Sequence, residues 1–158
     1  MRVRVIGVGS GTGDDAAGLA VIEWLASQPR PQEVSLARCE RPLPDLLDAL
    51  DGADAAILID AARSGDPPGR VRRIDEAAIE ARGGASSHGY GTFRAVSLAR
   101  ALDRAPRRIV WLAIAIATVE AARDLSPPVR AAVPVAGRLA LEEACRISAL
   151  TTGASPDA

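Results

Sequence analysis

Lysine and asparagine are absent from this chain of 158 residues, and all 19 of its basic residues are arginine. Without lysine there can be no phosphate-cradling P-loop of the Gly-Lys-Ser/Thr kind, no Schiff-base chemistry and no Ser–Lys nucleophile. The lack of both residues, beside heavy use of Ala, Arg, Gly and Pro, reads as genome composition bias rather than function. Aromatic residues make up only 3% of the chain against 48% hydrophobic overall, so the core must be built from Ala, Val, Leu and Ile. There are only two cysteines, Cys39 and Cys145, without CxxC spacing. They read as buried small hydrophobes of a reducing cytosol. No long apolar run is present either: the longest, Ile109 to Val119, is too short to span a bilayer. Met1-Arg2-Val3-Arg4-Val5 runs straight into a strand pattern, so no signal peptide is expected and the protein reads as cytoplasmic. A net charge of −1 provides no global field for nucleic acid or membrane. The closest arginine cluster, Arg70, Arg72 and Arg73, suits a solvated strand face.

What the chain does have is concentrated near its start, in Val5-Ile6-Gly7-Val8-Gly9-Ser10-Gly11-Thr12-Gly13-Asp14-Asp15-Ala16-Ala17-Gly18. An apolar strand runs into glycines and then a helix, the layout of a nucleotide-binding loop. The letters do not fit one. A dinucleotide fingerprint needs glycines at i, i+2 and i+5, but the third position is Thr12 counting from Gly7 and Asp14 counting from Gly9. Gly13 and Gly18 have P-loop spacing but are followed by Leu19-Ala20. A helix N-terminus attracts anions, yet Asp14 and Asp15 already occupy that field and would repel a pyrophosphate. The sign of charge redirects attention to cations, metals and acid–base chemistry.

The length suits a single domain, residues 1–150, with a small polar tail, 151–158, expected to be disordered. Strand and helix patterns alternate. Residues 2–8 read as a buried strand, and Asp14 or Gly13 should cap a helix reaching about Ser27. Glu33–Arg38 is a weaker strand, Leu46–Leu50 a short helix, and Ala55–Ile59 a strongly buried strand running into Asp60. Arg70–Ile74 suits a half-exposed strand, antiparallel to its predecessor. A glycine-rich loop, Gly83 to Gly91, then precedes a helix at Phe93–Leu102 and a buried strand at Arg108–Ala117. Ser126 followed by Pro127 and Pro128 begins a long last helix to about Ala149, which Pro134 should kink or restart. The expected fold class is α/β: a three-layer α/β/α sandwich with a mostly parallel twisted sheet and one antiparallel strand.

In such folds ligands bind beyond the carboxyl ends of the strands, near the topological switch point. Asp15 follows the first strand, Asp60 ends the Ile57–Ile59 strand, and His88, the sole histidine, lies in the next glycine-rich loop. Each has a plain structural role available. Asp14 is most simply an N-cap and Asp15 a favourable charge in the first helical turn. Asp60 could start a turn, and a lone histidine is more often structural than catalytic. Together they weigh differently. Ending an apolar run in a carboxylate is costly without a partner, and two carboxylates with an imidazole form a site that zinc, nickel or manganese would accept. Other schemes fit less well: Ser86 and Ser87 precede His88 without a G-x-S-x-G elbow, and neither cysteine carries a nucleophile signature.

These residues resemble the hydrogenase maturation proteases, endopeptidases that remove a C-terminal extension from the large subunit of [NiFe] hydrogenase. Val5–Gly9 followed by Gly13-Asp14-Asp15-Ala16-Ala17-Gly18 is similar to the family's opening strand and G-D-D/E-x-x-G motif. Ile57–Ala62, with Gly65 and Pro68-Gly69 after it, resembles its second acidic motif, and Ser86-Ser87-His88 its S/T-S/T-H motif. Leu125-Ser126-Pro127-Pro128-Val129 looks like the family's start to the last helix. The chain departs at Ser10, where the family usually has asparagine, at Gly11-Thr12, where it has bulkier residues, and at Ala117-Thr118-Val119-Glu120, which keeps only the acid of a glycine-Ile/Val-Gln/Glu-proline stretch.

The resemblance implies that Asp15, Asp60 and His88 are both the catalytic and the metal-contacting residues of a hydrolase of aspartic or metal-dependent type. It implies that they contact nickel already inserted in the substrate, a [NiFe] hydrogenase large-subunit precursor, with no organic cofactor. No nucleic-acid or membrane partner is expected. A second hypothesis is a non-catalytic metal-sensing maturation or binding protein of the same fold; a small nucleotide-binding domain is a distant third.

Overall fold

The computed structural model describes residues 1–81, 87–117 and 123–152, and for 80, 81, 87–90, 151 and 152 the backbone alone. Five strands form one sheet: β1 (Val3–Val8), β2 (Val34–Cys39), β3 (Ala55–Ala62), β4 (Val71–Ile74) and β5 (Arg108–Ala115), in spatial order β2-β1-β3-β5-β4. The pairs β1–β2, β1–β3 and β3–β5 are parallel, and β4 runs antiparallel to β5. The antiparallel strand is as expected, but its neighbour is β5 and not the preceding strand β3. Strand β3 is paired with β5 from Ala55 to Ala62 and with β1 from Ala55 to Ile59, so neither of its edges is open to β4 as a full neighbour. With its two central arginines exposed, β4 instead closes the far edge of the sheet. Charged edge residues of this kind deter pairing with other chains.

The helices are α1 (Ala17–Ala26), α2 (Pro42–Leu50), α3 (Glu76–Ala81), α4 (Ser87–Ala101) and α5 (Pro127–Thr152). Strand alternation divides the sheet into two apolar faces. Val3, Val5, Ile57, Ile59, Leu112 and Ile114 pack with α1 and α5, while Ile6, Val8, Leu58 and Trp111 pack with α2 and α4. The result is the three-layer α/β/α sandwich. Each fully buried Leu or Ile contributes roughly 1.5–3 kcal/mol, and the core relies on these residues because aromatics are so few.

Several boundaries differ from the sequence reading. The first helix opens as a 3-10 turn, Gly13–Ala16, before α1 proper. Helix α2 begins at Pro42, because prolines fit a first helical turn, where the missing N–H needs no partner. Helix α3 lacks a distinctive pattern and was not foreseen. Asp60 stands inside β3 rather than at its end. His88 is in the first turn of α4 rather than in a loop. There Thr92, Ala95, Val96 and Ala99 supply a buried stripe at i, i+3, i+4 and i+7, and the helix extends back through Gly89 and Gly91 from that stripe. Helix α5 runs through Pro134 and on to Thr152. Ser86, Thr118–Glu120 and the final residues 153–158 lie outside the described residues.

Cys39 is buried but Cys145 is exposed, on the outward side of α5, against the expectation that both would be buried. Arg72 pairs with Asp66 at 2.9 Å, and Arg73 with the buried Glu143 at 3.1 Å. Glu143 also pairs with Arg146, so one carboxylate joins the β4 edge to α5. No described helix is long and apolar enough to cross a membrane.

Candidate functional site

The sheet order places β1 and β3 side by side at the centre. From β1 the chain crosses by α1 to β2 on one side, then returns by α2 to β3 on the other. The crevice at the carboxyl ends of β1 and β3 is therefore the topological switch point. Asp15 and Asp60 both belong to this edge, the first in the turn after β1 and the second near the end of β3.

Close backbone packing explains why glycines surround Asp15. A Cβ at Gly18 would lie 2.3 Å from the Val8 carbonyl oxygen and 2.4 Å from that of Ile59, so α1 rests directly on β1 and β3. A Cβ at Gly9 would lie 2.2 Å from the Asp15 carbonyl oxygen. The loop thus folds back on its own strand, and no side chain can intervene. Asp15 itself is buried, at 3% exposure. Its Oδ2 accepts a 2.7 Å hydrogen bond from Ser10 Oγ. The residue that departs from the family's usual asparagine therefore supplies a donor to the carboxylate.

Asp60 falls on the face of β3 that carries Leu58, toward α4. Thr92 Oγ1, 1% exposed on α4, donates to Asp60 Oδ2 at 3.1 Å. Burial pushes the Asp60 carboxyl up to about 7; hydrogen bonds from Thr92 and the Ala61 backbone oppose the shift, and the nearby Asp15 charge adds to it. The two carboxylates are thus electrostatic neighbours, each held by a hydroxyl donor. Thr92 was missed in the sequence, although a threonine on an otherwise Ala/Val helix stripe is a legible signal of a polar group turned toward a buried partner.

Position 88 lies one helical turn before Thr92, on the same face of α4. The His88 side chain is outside the described atoms. Among the described residues, no group of three His, Cys, Asp or Glu side chains is arranged to hold a metal ion.

Asp14 does not cap its own helix, and neither the 3-10 turn nor α1 has a side-chain cap. Its carboxylate reaches α5 instead: Oδ1 accepts from Ser126 N–H at 2.6 Å and Oδ2 from Ser126 Oγ at 2.8 Å. Local sequence favoured the nearer donors, and tertiary packing supplied better ones. Cys39 is ruled out as a nucleophile, because it is fully buried and burial, with the charges of Asp45 and Asp60, pushes its thiol up to about 12.

Comparison with known proteins bears on the fold and the family. The hydrogenase maturation protease model, HycI, matches residues 42–143. No curated protein matches the chain in sequence. Among solved structures, the hydrogenase maturating endopeptidase HybD from E. coli is similar at 25% identity and a TM-score of 0.79, covering 90% of this chain and 91% of its own. An endopeptidase from Escherichia coli solved in solution is 26% identical with a TM-score of 0.82, covering 94% of each chain. The [NiFe] hydrogenase maturation protease HybD from Thermococcus kodakarensis is 26% identical with a TM-score of 0.75, covering 91% of this chain and 99% of its own. From the family model, which spans most of the chain, and from the shared fold, this protein belongs to the hydrogenase maturation protease family.

Proposed function

We propose that the protein is an endopeptidase that trims the C-terminal extension of a [NiFe] hydrogenase large-subunit precursor once nickel has been inserted. The observation that carries this reading is the pair of hydroxyl-held carboxylates, Asp15 and Asp60, at the switch point of the sheet. The names borne by the similar structures, maturating endopeptidase and [NiFe] hydrogenase maturation protease, support the reaction and the substrate class.

In this reading Asp15, Asp60 and His88 contact the nickel carried by the substrate. Carboxylate oxygens and an imidazole suit a borderline divalent ion. Bringing the precursor's nickel to this edge would place the scissile peptide beside two groups able to accept and return a proton. One carboxylate takes a proton from the attacking water, and the proton is delivered to the leaving amine as the C–N bond breaks. Ser10 and Thr92 fix the orientation of the two carboxylates.

The test is a processing assay on the co-expressed precursor, with and without nickel, read by mass spectrometry. The wild-type protein should release the tail only when nickel is present. Asp15→Asn, Asp60→Asn and His88→Ala should each fold and abolish release. Continued trimming by these variants would show the site to be misassigned. Stable association without cleavage by the wild-type chain would make it a binding protein of the same fold.

A further inference from the structure

We propose that Asp14 is a positioning residue for the cleavage proposed above, on which its role depends, and that it clamps the turn bearing Asp15 to the start of α5. Two oxygens of one carboxylate are bound by two donors of one residue, Ser126, which stands 112 positions away in the sequence. A second link runs beside them, because Gly13 N–H donates to the Arg123 carbonyl at 3.3 Å. Ser126 precedes the first residue of α5, and its carbonyl accepts the Arg130 N–H at 2.8 Å, so it is the N-cap of that helix. The N–H of an N-cap has no partner within its helix, and a carboxylate placed there is favoured by the helix dipole. Asp14 supplies what α5 lacks.

The other end of the clamp is firm. Val129, Ala132, Val133, Ala136 and Ala140 of α5 are buried against the sheet and α1. The short turn Gly13–Ala16 holds Asp14 and Asp15 in succession. Fixing the Asp14 side chain at both oxygens therefore fixes the peptide from which Asp15 departs toward Ser10 and the Asp60 side. Both Asp14 oxygens are engaged by Ser126, so it acts through Asp15 and not on the substrate.

The experiment compares Asp14→Ala, Asp14→Asn and Ser126→Ala in nickel-dependent trimming of the precursor, at a temperature where circular dichroism shows each variant folded. Displacing a catalytic group by about 1 Å costs on the order of 100-fold, so Asp14→Ala should lose about that much in kcat with KM little changed. Asp14→Asn keeps an oxygen for the Ser126 N–H and an N–H₂ for its Oγ, and should restore most of the rate. Ser126→Ala retains one of the two bonds and should fall between them. Amide exchange across residues 9–16 should quicken in Asp14→Ala and not in Asp14→Asn. Wild-type kcat in Asp14→Ala, or equal impairment of Asp14→Asn and Asp14→Ala, overturns the proposal. If Asp14→Ala does not fold, a wild-type rate in folded Ser126→Ala does the same. Asp15→Asn and Asp60→Asn run alongside: if they trim normally the cleavage site itself is wrong, whereas if they are dead and Asp14→Ala is normal only the clamp fails.

Discussion

Replacing Asp60 by asparagine should stabilise the metal-free protein at alkaline pH while destroying its activity. The carboxyl moves from an ordinary 3.8 to about 7 on folding, chiefly because burial disfavours the charge. A group whose folded pKa is raised binds its proton more tightly in the native state. Its stabilising contribution is therefore complete below about pH 4, declines as pH rises toward 7, and is lost above that. Three pH units at 1.36 kcal/mol each set a ceiling of about 4 kcal/mol on the cost of the ionised form. Asp60 is only partly buried, and the new amide must find a partner for its N–H₂ beside Thr92. A net gain of about 2–3 kcal/mol at pH 8 is expected, with little difference at pH 4.5. For a chain of this length that corresponds to a rise in Tm of roughly 5–10 °C. Thermal melts of wild type and Asp60→Asn at both pH values, with chelator present, measure it. A lower Tm for the variant at pH 8, or an equal difference at the two pH values, would refute the idea that the fold holds Asp60 at a cost.

Further expectations follow from the same contacts. Thr92→Val keeps the volume but removes the donor to Asp60, and should cost about 1–3 kcal/mol at pH 8 and less at pH 5, as read from urea unfolding. Gly18→Ala would set a methyl group against two strand carbonyls at 2.3 and 2.4 Å. Backbone atoms cannot rotate away, so a loss of about 3 kcal/mol is expected, and a change within about 0.5 kcal/mol would contradict the packing. Glu143→Gln weakens the ties of a buried carboxylate to Arg73 and Arg146. Both arginines are about half exposed, so the expected loss is about 1–2 kcal/mol, smaller in high salt by chemical denaturation.

Much of the fold was legible because its causes are local. The short, predominantly apolar runs of β1, β3 and β5 suit strands buried on both faces, and their alternation with helices then favours parallel crossovers. Strand β4 was recognisable from the imperfect alternation of Arg70–Ile74, but its partner was not, since β3 and β5 are both largely apolar and only the assembled sheet shows which edge is open. Helix α4 was read short because Gly89 and Gly91 resemble loop residues. Its buried stripe, begun by Thr92, carries the helix back through them.

The sequence by itself determined that Asp15 and Asp60 would stand at the carboxyl edge of a parallel sheet, because Asp15 follows one apolar strand pattern and Asp60 comes directly after the apolar Ile57–Ile59 of another. It also determined that the glycines before Asp15 were structural, once the nucleotide patterns failed. Only the tertiary structure decided what holds each carboxylate. Ser10 and Asp15 are five residues apart, but Thr92 and Asp60 are 32 apart and Ser126 and Asp14 are 112 apart. Hydrogen bonds are short-ranged and directional, so partners separated along the chain are chosen by how helices seat on the sheet, which no local pattern encodes. Asp14 is the clearest case: its sequence neighbours suggested a cap for its own helix, and packing made it the partner of Ser126, the cap of another.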